Sequence, residues 1–230
     1  MKTIGLLGGM SWESSLEYYR SINQLVKQRL GGLHSAKCLM YSVDFQDIET
    51  LQTQGSWDAA GRILGDAALG LEKGGADFLV ICTNTMHKVV PAIQARINMP
   101  LLHIADPTAQ AVLSGGIRTI GLLGTRFTMQ EDFYKGKLIY DHGLDVVTPD
   151  SEDMQTIDRV IFEELCLGQI RPESKKQYLE IIDHLAKAGA EGVILGCTEI
   201  GLLVKPDDCT IPLFDTTLIH AAAAVDFALA

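Results

Sequence analysis

Thr3-Ile4-Gly5-Leu6-Leu7-Gly8 recurs unchanged as Thr119-Ile120-Gly121-Leu122-Leu123-Gly124, 116 positions further on. A second echo sets Leu71-x-Lys73-x-Gly75-Ala76-Asp77 against Leu185-x-Lys187-x-Gly189-Ala190-Glu191, at an offset of 114. Offsets that agree this closely mark a duplicated half-protein rather than a chance repeat. Carrying the second offset forward places Thr83-Asn84-Thr85 opposite Cys197-Thr198-Glu199. Equivalent strand ends would then carry a hydroxyl in one half and a thiol in the other. A pseudo-twofold axis would make them face each other across a cleft, a geometry suited to chemistry on both faces of one small molecule.

The strand and helix pattern follows the same plan twice. Strands are predicted at Ile4 to Leu7, Ala36 to Val43, Phe78 to Cys82 and Leu101 to Ile104. Their counterparts are Ile120 to Leu123, Leu144 to Val147, Gly192 to Leu195 and Ile211 to Phe214. Helices are predicted over Glu13 to Leu30, Trp57 to Lys73, Met86 to Ile97, Ser151 to Cys166 and Pro172 to Ala188, with a loop expected between Val43 and Trp57. Short apolar runs separated by helices predict an α/β fold of two lobes, each a mostly parallel four-stranded sheet covered on both faces. The terminal helix from Thr216 to Leu229 is expected to pack on the first lobe. The first lobe is therefore expected to comprise residues 1–104 and 215–230, and the second residues 105–214.

The chain has 230 residues, 47% of them hydrophobic, and a net charge of −10. A negative surface argues against nucleic acid, whose phosphates need basic partners. No apolar stretch approaches the roughly 18 residues of a membrane span. Met1-Lys2 leads directly into the first strand without a cleavage site, so a cytoplasmic protein without an export signal is expected. The 5 cysteines (Cys38, Cys82, Cys166, Cys197 and Cys209) form no C-x-x-C pair and have no histidine at ligand spacing, which argues against a metal site. Free thiols are expected, with Cys38 and Cys166 as small buried hydrophobes and Cys209 in a loop. Only Cys82 and Cys197 end a buried-strand pattern beside polar residues.

In open parallel sheets, ligands collect outside the carboxyl ends of the strands. Here those ends are Gly8-Gly9-Met10-Ser11, Ser42-Val43-Asp44, Thr83-Asn84-Thr85, Gly124-Thr125-Arg126 and Cys197-Thr198-Glu199. Gly8-Gly9 permits close backbone approach, and amides there are expected to be open to a carboxylate. No nucleotide-binding glycine motif follows any strand, so Gly8-Gly9 is not a nucleotide loop.

Three motifs together resemble the aspartate/glutamate racemase family: Gly5-Leu6-Leu7-Gly8-Gly9-Met10-Ser11, Thr83-Asn84-Thr85-x-His87 and Gly196-Cys197-Thr198-Glu199. The resemblance spans essentially the whole chain. It implies cofactor-independent racemisation of an amino acid bound between two pseudo-symmetric α/β lobes, and a homodimer. The family generally uses two cysteines as opposed acid and base. Cys197 keeps the second cysteine, whereas the first motif opens with Thr83.

Cys82 competes for that first position, but a one-residue slip sends a strand side chain to the other face of the sheet. The internal repeat favours Thr83, because Gly75 to Asn84 and Gly189 to Thr198 align without a gap. Racemisation needs two groups on opposite faces of Cα that exchange roles as base and acid. Cys197 is the expected base, its thiolate stabilised by a helix starting at Thr198-Glu199. Thr83 is a weaker partner that donates a proton or relays one through water.

Substrate contacts are expected from Met10 (backbone), Asn84, Thr85, Thr198, Glu199 (to the ammonium group) and Gln52. His87 is expected to orient its neighbours or to be structural, and Trp57 to pack. No Arg or Lys lies between Lys37 and Arg62, where Gln46, Gln52 and Gln54 stand instead. Glutamine binds carboxylates but also neutral polar groups, which leaves room for a range wider than aspartate and glutamate. Alternatives from the same superfamily are a hydantoin racemase, a maleate isomerase or a malonate decarboxylase. A different class is a non-catalytic amino-acid-binding protein.

Overall fold

The computed structural model describes residues 1–230. The chain divides into two compact units, Met1–Ile104 with His220–Ala230, and Ala105–Ile219.

The first unit contains β1 (Ile4–Gly8), α1 (Trp12–Leu30), β2 (Cys38–Ser42), α2 (Phe45–Thr53), α3 (Trp57–Lys73), β3 (Phe78–Ile81), a 3-10 turn (Thr85–Val89), α4 (Val90–Gln94) and β4 (Leu101–Leu102). Its sheet runs β2-β1-β3-β4 with every pair parallel. Side-chain alternation sorts the strands between two cores. Leu7, Leu79 and Ile81 pack with Leu64, Ala68 and Leu71 of α3. Ile4, Leu6, Phe78, Val80 and Cys82 pack on the opposite face with Tyr18, Ile22 and Val26 of α1. That second core also takes Ala221, Ala224, Val225 and Ala228, one stripe of a terminal helix.

The second unit contains α5 (Ala105–Ser114), β5 (Thr119–Gly124), α6 (Arg126–Gln130), α7 (Lys135–Tyr140), β6 (Asp145–Val147), α8 (Ser151–Glu163), α9 (Pro172–Lys187), β7 (Gly192–Gly196), α10 (Ile200–Leu203) and β8 (Leu213–Asp215). Its sheet, β6-β5-β7-β8, is also wholly parallel. The terminal helix α11 (Thr216–Leu229) contains the division between the units, at Ile219 and His220.

The duplication extends to individual hydrogen bonds. α3 and α9 both end in a turn through a glycine of positive φ, 97° at Gly75 and 101° at Gly189. Ala76 N–H then donates to Leu71 O at 3.1 Å, and Ala190 N–H to Leu185 O at 3.0 Å, the long bond of a Schellman cap. The Pro100 and Pro212 carbonyls each accept a strand amide at 2.8 Å, from Leu79 and Val193 respectively.

Three expectations need correction. The segment expected as a loop between Val43 and Trp57 contains α2, whose N-cap Asp44 accepts from Gln46 N at 3.0 Å. Its apolar stripe is short, with Ile48 and Gln52 the buried positions, so periodicity gave little signal. The helix expected over Met86 to Ile97 is a 3-10 turn followed by the 5 residues of α4. Pro91 explains this, since it stands in the first turn of α4 and has no amide to continue the hydrogen-bond ladder from the preceding turn. α8 stops at Glu163 rather than Cys166. Glu164 turns inward there to accept from Ser174 Oγ and from Arg159 Nη1 (3.1 Å), and Gly168 closes the turn at φ 70°.

Candidate active site

In the first unit, β1 and β3 end side by side, with Leu7 opposite Ile81. Gly9 takes φ 92°, and a Cβ there would collide with the Val43 backbone, so glycine is required. Its amide is not open to a carboxylate as expected, because it donates to Ser15 Oγ at 2.8 Å. Ser11 caps α1, accepting at Oγ from Ser14 N at 3.3 Å. Ser14 Oγ donates in turn to Cys82 O at 3.0 Å. Hydroxyls from the first turn of α1 therefore tie down both strand ends.

Cys82 and Thr83 occupy different surroundings. Cys82 is fully buried in the core shared by α1 and α11, and burial pushes its thiol far above the ordinary range. Thr83 is the next residue, two positions past the end of β3. Its carbonyl accepts from His87 Nδ1 at 2.9 Å, while His87 Nε2 accepts from Ile104 N at 3.2 Å. An acceptor at Nε2 requires the proton at Nδ1, so His87 is a neutral ring of one tautomer. Burial holds its pKa well below the ordinary value, and the nearby His103 and His220 rings lower it further. The carbonyls of Cys82 and Thr83 are thus both gripped, which fixes the direction of the Thr83 side chain.

Met10, Asn84 and Thr85 stand at the same pair of strand ends, all buried. Gln52 is carried separately by α2; it is buried, whereas Gln46 and Gln54 are exposed. Trp57 packs against the α3-side core, and Lys88 Nζ lies 4.0 Å from its ring centroid.

In the second unit, β5 and β7 also end together, with Gly124 opposite Gly196. Cys197 follows directly. Its Sγ–H donates to Glu199 Oε2 at 3.0 Å, and Thr198 Oγ1 donates to the same oxygen at 2.8 Å. Cys197 and Glu199 are both buried, 8% and 2% exposed, so this contact is largely screened from water. Thr216 Oγ1 donates to Leu195 O at 2.8 Å, a hydroxyl anchor of the same kind as Ser14.

The expected thiolate is not the resting form of Cys197. Burial pushes the thiol well above its usual pKa, and the Glu199 carboxylate pushes it further. The helix invoked to stabilise it begins only at Ile200 and has 4 residues, too short a run of aligned peptides to offset these effects. Cys38 and Cys166, expected buried, are only half-buried, and none of the 5 cysteines forms a disulfide. The sequence reading missed the anchoring serines and the contact between Cys197 and Glu199. Three serines, Ser11, Ser14 and Ser15, in one helix start were the available signal for the former.

Replacing Cys82 with alanine removes one buried sulfur from the core. We expect a stability loss on the order of 1–2 kcal/mol in a denaturant melt, with turnover within about twofold of wild type. Loss of turnover at unchanged stability would return Cys82 to candidacy as the catalytic group.

This duplicated parallel fold, with polar and thiol side chains at matching strand ends, is that of the two-lobed racemases. Residues 7–224 match the family described as Asp/Glu/Hydantoin racemase, and the chain belongs to that family. Among solved structures, it resembles a putative Asp/Glu racemase from Yersinia pestis at 54% identity, with a TM-score of 0.92 and 100% of both chains covered. An aspartate racemase homologue from Pyrococcus horikoshii OT3 matches at 35% identity and a TM-score of 0.85, again over 100% of both chains. The broad specificity amino-acid racemase RacX of Bacillus subtilis (strain 168) is 26% identical over 75% of this chain and 74% of its own length. No helix is long and apolar enough to cross a membrane.

Proposed function

We propose that the protein racemises small amino acids without a cofactor, with Cys197 and Thr83 exchanging protons with Cα from opposite faces. The observation that carries this reading is the equivalence of the two strand ends: β3 and β7 hold the same place in matching sheets, and the repeat sets Thr83, two residues past β3, against Cys197, directly after β7. The resting Cys197 is a thiol already bonded to a proton acceptor, so it can return a proton as well as remove one. Thr83 supplies the weaker acid on its side.

The substrate range is read as wider than aspartate and glutamate. Gln52, buried on α2, lies between Lys37 and Arg62 in a stretch that has no other Arg or Lys, and a glutamine amide accommodates carboxylate and amide side chains alike. The Bacillus subtilis relative, named for broad specificity, points the same way.

Single enantiomers of aspartate, glutamate, asparagine and glutamine should be incubated with the protein in deuterated water and followed by NMR and chiral chromatography. A racemase incorporates deuterium at Cα and yields the opposite enantiomer. Absence of exchange across a wider amino-acid panel would sink the reading in favour of a binding protein, and carbon dioxide release from a malonate would point to decarboxylation.

A further inference from the structure

We propose that Glu199 is a catalytic partner of Cys197, the carboxylate that takes the thiol's proton when Sγ acts as base and returns it when Sγ acts as acid. This rests on the racemase reading above and changes the role first expected for Glu199, that of holding the substrate ammonium group.

The argument begins with two facts of geometry. Glu199 Oε2 lies 3.0 Å from Cys197 Sγ and accepts its proton, and both residues are buried. A free thiolate would therefore place two negative charges in contact in a desolvated site, which is strongly disfavoured. A thiolate formed in advance is the wrong starting point. A relay avoids the conflict. As Sγ takes the α-hydrogen as a proton, the thiol's own proton passes to Oε2. The Cα–H bond breaks and its electron pair stays on the substrate; one S–H bond breaks, another forms, and an O–H bond forms on Glu199. The negative charge moves from the carboxylate to the substrate, and none is added. In the reverse direction, Sγ protonates Cα while the proton on Oε2 returns to Sγ.

The surroundings leave Glu199 in this role. Thr198 Oγ1 donates to the same Oε2 at 2.8 Å, which holds that oxygen in place beside Sγ. Cys166 and Tyr178 also act electrostatically within this group, but Tyr178 Oη donates to Ile157 O at 3.1 Å and both are weak acids.

Glu199→Gln tests the relay because its two consequences have opposite signs. The amide keeps an acceptor for the thiol but loses the charge and the ability to take a proton. Alkylation of Cys197 by iodoacetamide at pH 7, resolved by peptide mass spectrometry without substrate, should become at least about tenfold faster as the thiol ionises more easily. Exchange of α-hydrogen for deuterium should become about a hundredfold slower or more. Wild-type exchange in the variant, or both rates falling together, would overturn the proposal. If the variant fails to fold, Glu199→Asp keeps the charge but withdraws it from Sγ, and unchanged exchange there overturns the proposal equally. Faster alkylation in a protein whose wild type exchanges no amino acid would defeat the racemase reading while keeping the coupling. Unchanged alkylation defeats the coupling whatever the activity.

Discussion

Cys197→Ser should lower α-proton exchange by roughly three orders of magnitude while leaving the protein folded. The serine hydroxyl fills nearly the same space and can still donate to Glu199 Oε2, so the local hydrogen bonds survive. What is lost is the acid strength of sulfur. An aliphatic hydroxyl is a far weaker acid than a thiol, and a buried one beside a carboxylate is weaker still. Deuterium incorporation from each enantiomer, measured beside a thermal melt, separates loss of chemistry from loss of fold. A folded serine variant that keeps exchange within tenfold of wild type would remove Cys197 from the mechanism.

Thr83 carries the second large effect, and it should depend on the enantiomer. Thr83→Ala is expected to depress racemisation about a hundredfold or more. Slow exchange without inversion should persist, since one thiol can remove and return a proton on its own face. Thr83→Cys restores a thiol on that side and should speed removal of the α-hydrogen from the enantiomer presenting it there. Enantiomers have equal free energy, so the two values of kcat/KM must stay equal and any gain in one kcat is matched in KM. A primary deuterium isotope effect on each enantiomer reports whether proton removal limits the rate. Wild-type racemisation by Thr83→Ala would make the hydroxyl a bystander.

The repeat made most of the fold readable. α3 and α11 fall on their expected residues because their apolar stripes run the length of each helix and packed partners meet them. α2 was hidden because its three apolar residues, Phe45, Ile48 and Leu51, do not rise above a loop's pattern. The end of α8 depends on Glu164 meeting Ser174, a contact between residues 10 apart that no local preference encodes. In the candidate site, the position of residues 83 and 197 just past β3 and β7 could be read from the gapless repeat of Gly75 to Asn84 and Gly189 to Thr198. The ionisation state of Cys197 could not. It is set by burial and by the position of the Glu199 carboxylate, both products of tertiary packing.

The anchors at the strand ends grip main-chain oxygens, Ser14 on Cys82 and His87 on Thr83. Neither grip consults the side chain at position 83. That residue can therefore change identity over evolutionary time without loosening the loop that presents it. Duplication supplies a pair of such loops, and each becomes a socket whose fitting is replaceable separately from its twin. A single codon can thus alter the proposed proton donor at one socket and leave its twin untouched, shifting the kcat of each enantiomer while the two kcat/KM values stay equal.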